Sequence, residues 1–166
     1  MNSRRIVYIE IMKESFFDHI RNGNLKEVEE LLAKDPKLLE TRDQRGSTPL
    51  ILATYYNKSE ITDLFLEHGA EVDAKDGSGN TALMGVCFKG YGEIAGKLVS
   101  SGADVNVQNG MGATCLMYCV DFNRPEIAKL LLEHGADTAI KDNRGNTAKD
   151  RAVIQGNPEL IGLFSK

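Results

Sequence analysis

The chain reads as an all-α solenoid, a stack of short helix-turn-helix units joined by β-turn or hairpin fingers. Three observations predict it. Gly46, Gly79, Gly112 and Gly145 recur at a fixed spacing of 33 residues. Thr48, Thr81, Thr114 and Thr147 follow these glycines by two, and Gly69, Gly102 and Gly135 keep the same spacing. Three positions before each turn glycine stands Asp or Asn and nothing else: Asp43, Asp76, Asn109 and Asp142. A period in this range marks supersecondary units that bury their apolar faces against one another, not a single closed core.

The elements follow in chain order. Residues 1–12 lie outside the period. Val7, Ile9 and Ile11 alternate as in a strand, whereas Ile9, Met12, Phe16 and Ile20 fall on one helical stripe. A strand-like arm, a helical extension and disorder all stay open there. Residues 13–45 lack the turn glycine, yet Phe16, Phe17, Ile20, Leu25, Val28, Leu31 and Leu32 describe two amphipathic helices. Asp35-Pro36 stops the second of them. This unit predicts an N-terminal cap.

Residues 46–78 show the full unit. Asp43-Gln44-Arg45-Gly46 has the residues a type I turn favours at its first and fourth places. Thr48 suits an N-cap and Pro49 the first helical position, so a helix is predicted over about Pro49 to Tyr56. A second is predicted over about Ser59 to Glu67, with Ile61, Leu64 and Phe65 on one face and Gly69 as a left-handed C-cap. The segment Ala70 to Ala74 then extends to the next turn. Residues 79–111, 112–144 and 145–166 repeat the plan. In the last unit Lys149 occupies the column of Leu50, Leu83 and Leu116. Burying that ammonium unpaired would be costly, which predicts an end open to solvent.

The runs Gly46-Ser47-Thr48-Pro49-Leu50, Glu67-His68-Gly69-Ala70-Glu71-Val72-Asp73, Gly102-Ala103-Asp104-Val105-Asn106 and Leu130 to Asp137 resemble the ankyrin repeat. The resemblance extends from about Lys13 to Lys166 and implies five repeats, the outer two being caps. Two departures stand out: Ile51, Met84, Met117 and Asp150 replace the usual His, and the usual Pro survives only at Pro49.

Composition narrows the function. Among 166 residues, 42% are apolar and 27% charged, with a net charge of −4. That balance lacks the basic excess of nucleic-acid binders. No run approaches the ~18–20 apolar residues of a membrane span. Ser3-Arg4-Arg5 followed by Ile6 to Ile9 faintly imitates an export signal, but Glu10 breaks the apolar run. Three cysteines, Cys87, Cys115 and Cys119, are too few and odd in number for a disulfide framework and suit a reducing compartment. A cytoplasmic monomer without cofactor is the expectation.

Residues that look chemical fit the scaffold better. Cys115 and Cys119 share a helical face but lack further zinc ligands, and read as small packing residues. His68 and His134 occupy one column two repeats apart, on the order of 20 Å, too far to share an ion. Glu60, Glu93, Glu126 and Glu159 fall in first turns of helices, where they offset the helix dipole. No catalytic or metal-ligating set emerges, and no phosphate-loop string is present.

The resemblance implies a non-enzymatic module that binds a protein through a concave face of fingers and first helices. Regulation of an enzyme by covering its active site is the alternative. The variable positions of that face include Tyr55, Tyr56, Phe88, Met111 and Phe122, flanked by Arg42, Arg45, Lys75, Lys89, Lys141 and Arg144. Aromatics and Arg dominate interface hot spots. These residues predict aromatic anchors in basic surroundings, suited to an apolar spot on a partner with acidic neighbours. The competing reading packs the rings between adjacent first helices.

The third unit carries Gly85 and Gly96 inside its predicted helices. Each helix-interior glycine costs roughly 0.5–1 kcal/mol relative to Ala. Amide hydrogens of residues 82–99 are therefore expected to exchange faster than those of the flanking repeats. Equal protection across the three repeats in a hydrogen-exchange experiment would refute this.

Overall fold

The structure, a computed structural model, describes residues 3–165. Ten α-helices and one 3-10 helix make up its regular elements: α1 (Ser3–Asn22), α2 (Leu25–Lys34), the 3-10 helix (Pro36–Glu40), α3 (Pro49–Tyr55), α4 (Ser59–Glu67), α5 (Ala82–Lys89), α6 (Gly92–Ser100), α7 (Cys115–Asp121), α8 (Pro125–Glu133), α9 (Ala148–Gln155) and α10 (Pro158–Leu163). They pair into five helical hairpins. First helices α1, α3, α5, α7 and α9 lie side by side in one layer, and α2, α4, α6, α8 and α10 form the layer behind. No strand occurs among the described residues, so the fingers are turns and not hairpins.

Residues 3–12 take the helical alternative, as the outer half of α1. Residues 1, 2 and 166 lie outside the described residues. The stripe read from the sequence is real but only its inner part is covered: Phe16 and Ile20 are buried, while Ile6, Val7, Tyr8, Ile9 and Ile11 are exposed.

Each first helix starts as its residues dictate. Thr48, Thr81 and Thr114 accept hydrogen bonds from the amides of Ile51, Met84 and Met117. At Thr147 the partner residue is Asp150, whose carboxylate also accepts from the Thr147 amide. This reciprocal pair is a capping box, which α3, α5 and α7 lack. Leu50, Leu83 and Leu116 fill the core between the layers, while Lys149 stands in solvent at the open end.

The fingers are closed by the Asp/Asn column. In each, one side-chain oxygen accepts two amides: Asp43 from Arg45 and Ser47, Asp76 from Ser78 and Asn80, Asn109 from Met111 and Ala113, Asp142 from Arg144 and Asn146, all at 2.8–3.0 Å. Backbone bonds then tie finger to finger: the Gly77 amide donates to Arg45 O, Gly110 to Ser78 O and Asn143 to Met111 O, at 3.0–3.1 Å. The turn glycine is demanded by this approach as well as by its left-handed backbone. A Cβ on Gly79 (φ +80°) would lie 2.9 Å from the Gly110 nitrogen.

The Asn146 amide and the Arg151 guanidinium hold the Asp142 carboxyl below the usual carboxylate range. A folded value below the unfolded one gives stability that is complete above about pH 4 and lost as pH falls through the folded value. Asp142→Asn retains the turn acceptor, as Asn109 does, and is expected to flatten the acid limb of the stability curve. Urea midpoints measured at several pH values would reject the linkage if mutant and wild type declined in parallel.

Candidate partner-binding groove

Fingers and first helices enclose an open groove of about 930 Å³ running from α3 to α9. Its character follows from residues that face away from the helix layer behind. Of the variable positions named from the sequence, Tyr55, Phe88, Met111, Phe122 and Arg144 line it. Tyr56, Arg42, Arg45, Lys75, Lys89 and Lys141 lie outside the lining.

The aromatics do two things at once. Phe88 packs edge-on against Phe122 with centroids 4.6 Å apart, and Tyr118 stacks on Phe122 at 6.1 Å. The Phe88–Phe122 pair bridges two adjacent first helices, as the competing reading held for some of the rings, whereas Tyr118 and Phe122 both belong to α7. They are nonetheless left partly open: Tyr55 is 38% exposed, Phe122 39% and Met111 63%. Tyr55 contacts Tyr56 edge-on at 5.5 Å, and Lys89 Nζ lies 5.0 Å from the Tyr55 centroid. The apolar wall is therefore pre-packed and rigid, and its outer surface stays bare.

Some basic residues serve the stack itself. Arg42 Nη1 donates to Gly46 O at 2.8 Å and to Lys75 O at 2.5 Å. Lys75 Nζ donates to Gln108 O at 3.0 Å, and Gln108 Nε2 to Lys141 O at 3.0 Å. These three residues share one column and lace successive fingers. Arg45, Lys141 and Arg144 are exposed, and their side chains have no hydrogen-bond or ion-pair partner among the described residues.

Two polar sets on the groove floor were not read from the sequence. Tyr118 Oη donates to Asn80 Oδ1 at 3.2 Å and accepts from Asn109 Nδ2 at 3.1 Å. Burial pushes the Tyr118 hydroxyl above its usual range. Arg151 pairs with Asp121 and, at 2.5 Å, with Asp142. Burial raises the Asp121 carboxyl against the opposing pull of Arg151. The available signal was the nine-residue step from the turn residue to the first helix, which joins 109 to 118 and 142 to 151. Arg151 thus holds both carboxylates in one ion-pair set.

The other candidates settle into structure. Cys87, Cys115 and Cys119 are fully buried and free, and the hydrogen bonding of the protonated Cys87 thiol to Cys115 and Cys119, with burial behind it, pushes that thiol well up. The sequence pairing of Cys115 with Cys119 missed this third member on α5. His68 Nδ1 and His134 Nδ1 lie 2.8 Å from Leu64 O and Leu130 O, where they cap the ends of α4 and α8. Among the described residues no group of His, Cys, Asp and Glu is arranged to hold a metal ion.

A two-layer stack of helical hairpins with a laced finger edge and an open concave groove defines a repeat protein built for surface contact. The chain belongs to the ankyrin-repeat family: it matches the family described as Ankyrin repeats (3 copies) over residues 16–109 and again over 83–165. No curated protein shows a significant match to the chain. Ankyrin repeats are generally protein–protein interaction modules and generally non-catalytic.

Tyr118→Phe removes the hydroxyl that bonds both Asn80 and Asn109, which stay joined directly through Asn109 Nδ2 and Asn80 Oδ1 at 2.8 Å. It is expected to lower stability by about 1 kcal/mol, the usual net worth of such bonds. Urea unfolding would show a lower midpoint at unchanged slope; an unchanged midpoint would mean the hydroxyl contributes nothing.

Proposed function

We propose that the protein binds a protein partner in the concave groove and does no chemistry on it. The observation that carries this reading is the bare outer surface of a wall already packed within the chain. Tyr55, Phe88 and Phe122 offer apolar area whose rings pack against neighbouring rings, and Met111 adds exposed apolar surface beside them. Little side-chain entropy is then lost on docking, which favours such residues as anchors. The unpaired Arg45, Lys141 and Arg144 of the fingers favour a partner with acidic residues along that edge. Three buried, unbridged thiols and a net charge of −4 favour a cytoplasmic setting and a protein over a nucleic-acid partner. In this reading the monomer is the binding unit, supported by a groove lined from the second to the fifth repeat of one chain.

The triple variant Tyr55→Ala, Phe88→Ala, Phe122→Ala is expected to lose the partner that the wild-type chain captures from its native host. Its helical circular dichroism should persist. Retained capture overturns the groove reading, and loss of helicity assigns the rings to the fold. If the captured partner is an enzyme, its activity at saturating protein separates an inhibitor from a passive binder.

A further inference from the structure

Each finger spends one side-chain oxygen of its Asp or Asn on the turn. The other side-chain atom finds different partners: Asp43 Oδ2 faces Arg21 at 3.9 Å, Asn109 Nδ2 donates to Asn80 Oδ1 at 2.8 Å, and in the last two repeats the residue nine positions on also takes part. In the fourth repeat Asn109 Nδ2 meets Tyr118 Oη at 3.1 Å. In the fifth, Asp142 Oδ2 meets Arg151 Nη2 at 2.5 Å, and the same guanidinium reaches Asp121 on the preceding first helix. In the third repeat the residue nine after Asp76 is Gly85. Asp76 Oδ1 accepts the Ser78 and Asn80 amides at 2.8 and 2.9 Å, but Oδ2 has no hydrogen-bond or ion-pair partner among the described residues. Asp76 and Gly85 both line the groove.

The equivalent of Asp121 two repeats earlier is Tyr55. It borders the space over Gly85: a Cβ built there would sit 3.7 Å from Tyr55 Cδ2, ordinary contact distance. Gly85 is in a regular helical turn, without the left-handed backbone of the turn glycines. The third repeat thus keeps the carboxylate of the fifth, replaces its second acid by an aromatic edge, and supplies no side chain to reach either.

We propose that the groove takes an arginine side chain of the partner over Gly85, its guanidinium donating to Asp76 Oδ2 and its stem packed against the Tyr55 edge. The inference deepens the groove reading and rests on it. Arg151 is the internal precedent: from the helix floor of the fifth repeat it makes the same carboxylate contact that the partner makes from outside in the third. Arginine suits the place better than lysine, because a planar guanidinium with an apolar stem can lie along a ring edge while its nitrogens fork onto a carboxylate. Lys89 already covers part of the Tyr55 ring, so the charge of the incoming group is met by Asp76 and not by the ring face. The Asp76 charge also contributes, behind burial, to the raised Tyr118 hydroxyl across the same floor.

The test uses the full chain and two probes, the peptide acetyl-Gly-Leu-Arg-Leu-Gly-amide and its citrulline counterpart, which has the same shape without the charge. In a nitrogen-15 shift titration at low salt, the arginine peptide is expected to bind about fivefold more tightly than the citrulline peptide, a difference typical of a partly exposed charge pair. Its shifts should centre on Tyr55, Asp76 and Gly85. Asp76→Asn keeps the turn acceptor, as Asn109 does, and should erase the preference. Gly85→Arg places a guanidinium on Asp76 from within and should erase it too, with helicity unchanged. Equal affinity of the two peptides for the wild type, a preference that survives Asp76→Asn, or no shifts at millimolar peptide overturns the arginine site. Equal binding with shifts at Phe88 and Phe122 overturns that site alone and leaves the groove reading standing. Shifts confined to the helix layer behind overturn both.

Discussion

The rest of the structure depends on one small interaction, the side-chain oxygen of Asp43, Asp76, Asn109 or Asp142 accepting two amides of its own finger. That closure sets the finger's shape, and the shape presents the next backbone amide to the previous finger at hydrogen-bond distance. Once fingers are locked edge to edge, the first helices that begin three residues after each turn glycine must start in register. Threonine caps then fix where each helix begins, and Leu50, Leu83 and Leu116 meet in a common core between the layers. None of these helices is long enough to be stable alone. Their persistence is a property of the stack, and the stack's repeat length is a property of the turn.

Because the scaffold is fixed column by column, the groove is shaped where columns break. Leu52, Gly85, Tyr118 and Arg151 share one column, yet Leu52 is buried in the core while the other three bring three different chemistries to the floor. Tyr118 and Arg151 finish hydrogen-bonding tasks that their turn residues leave open, and in doing so become wall. Gly85 leaves the same task undone. The column of Arg42, Lys75 and Gln108 behaves in the opposite way: its members differ in chemistry but do one structural job, reaching forward to the backbone of the next finger. Variability in a repeat protein is therefore not enough to mark a contact residue. What matters is whether the side chain's polar and apolar groups are already answered inside the chain.

This distinction also explains what could be read in advance. The period, the helix limits at Pro49 and Ser59, the caps at Thr48 and its equivalents and the open end at Lys149 are local or strictly periodic, and a sequence displays both. The aromatic lining was visible because those rings interrupt columns on a face whose geometry the period implies. Less visible were contacts that combine an offset within a repeat with a step between repeats, such as Tyr118 to Asn80 or Arg151 to Asp121. The third thiol beside Cys115 and Cys119 belongs to the same class, since Cys87 lies in a different column on the neighbouring helix. Residues 3–12 escaped because their pattern satisfied strand and helix periods equally, and only continuity with α1 decided it.

The third repeat brings these strands of argument together. Its first helix, α5, ends at Gly90 in a left-handed conformation, and Arg124 of the next repeat lies directly over that glycine. A Cβ on Gly90 would come within 2.7 Å of Arg124 Nε, while Arg124 Nη2 donates to Phe88 O at 3.2 Å. The guanidinium thus answers the carbonyl end of α5 from outside the repeat, where a cation is electrostatically favoured. Phe88 is tied to the fourth repeat twice, through its carbonyl to Arg124 and through its ring to Phe122. Glycines that would loosen α5 on their own are compensated on one flank by this external cap. Gly85 leaves α5 bare on the flank facing Tyr55 and the unanswered oxygen of Asp76. A helix held at its end and bare at its middle is a firm floor with one open position, which is what a groove needs in order to accept a single side chain in a defined place.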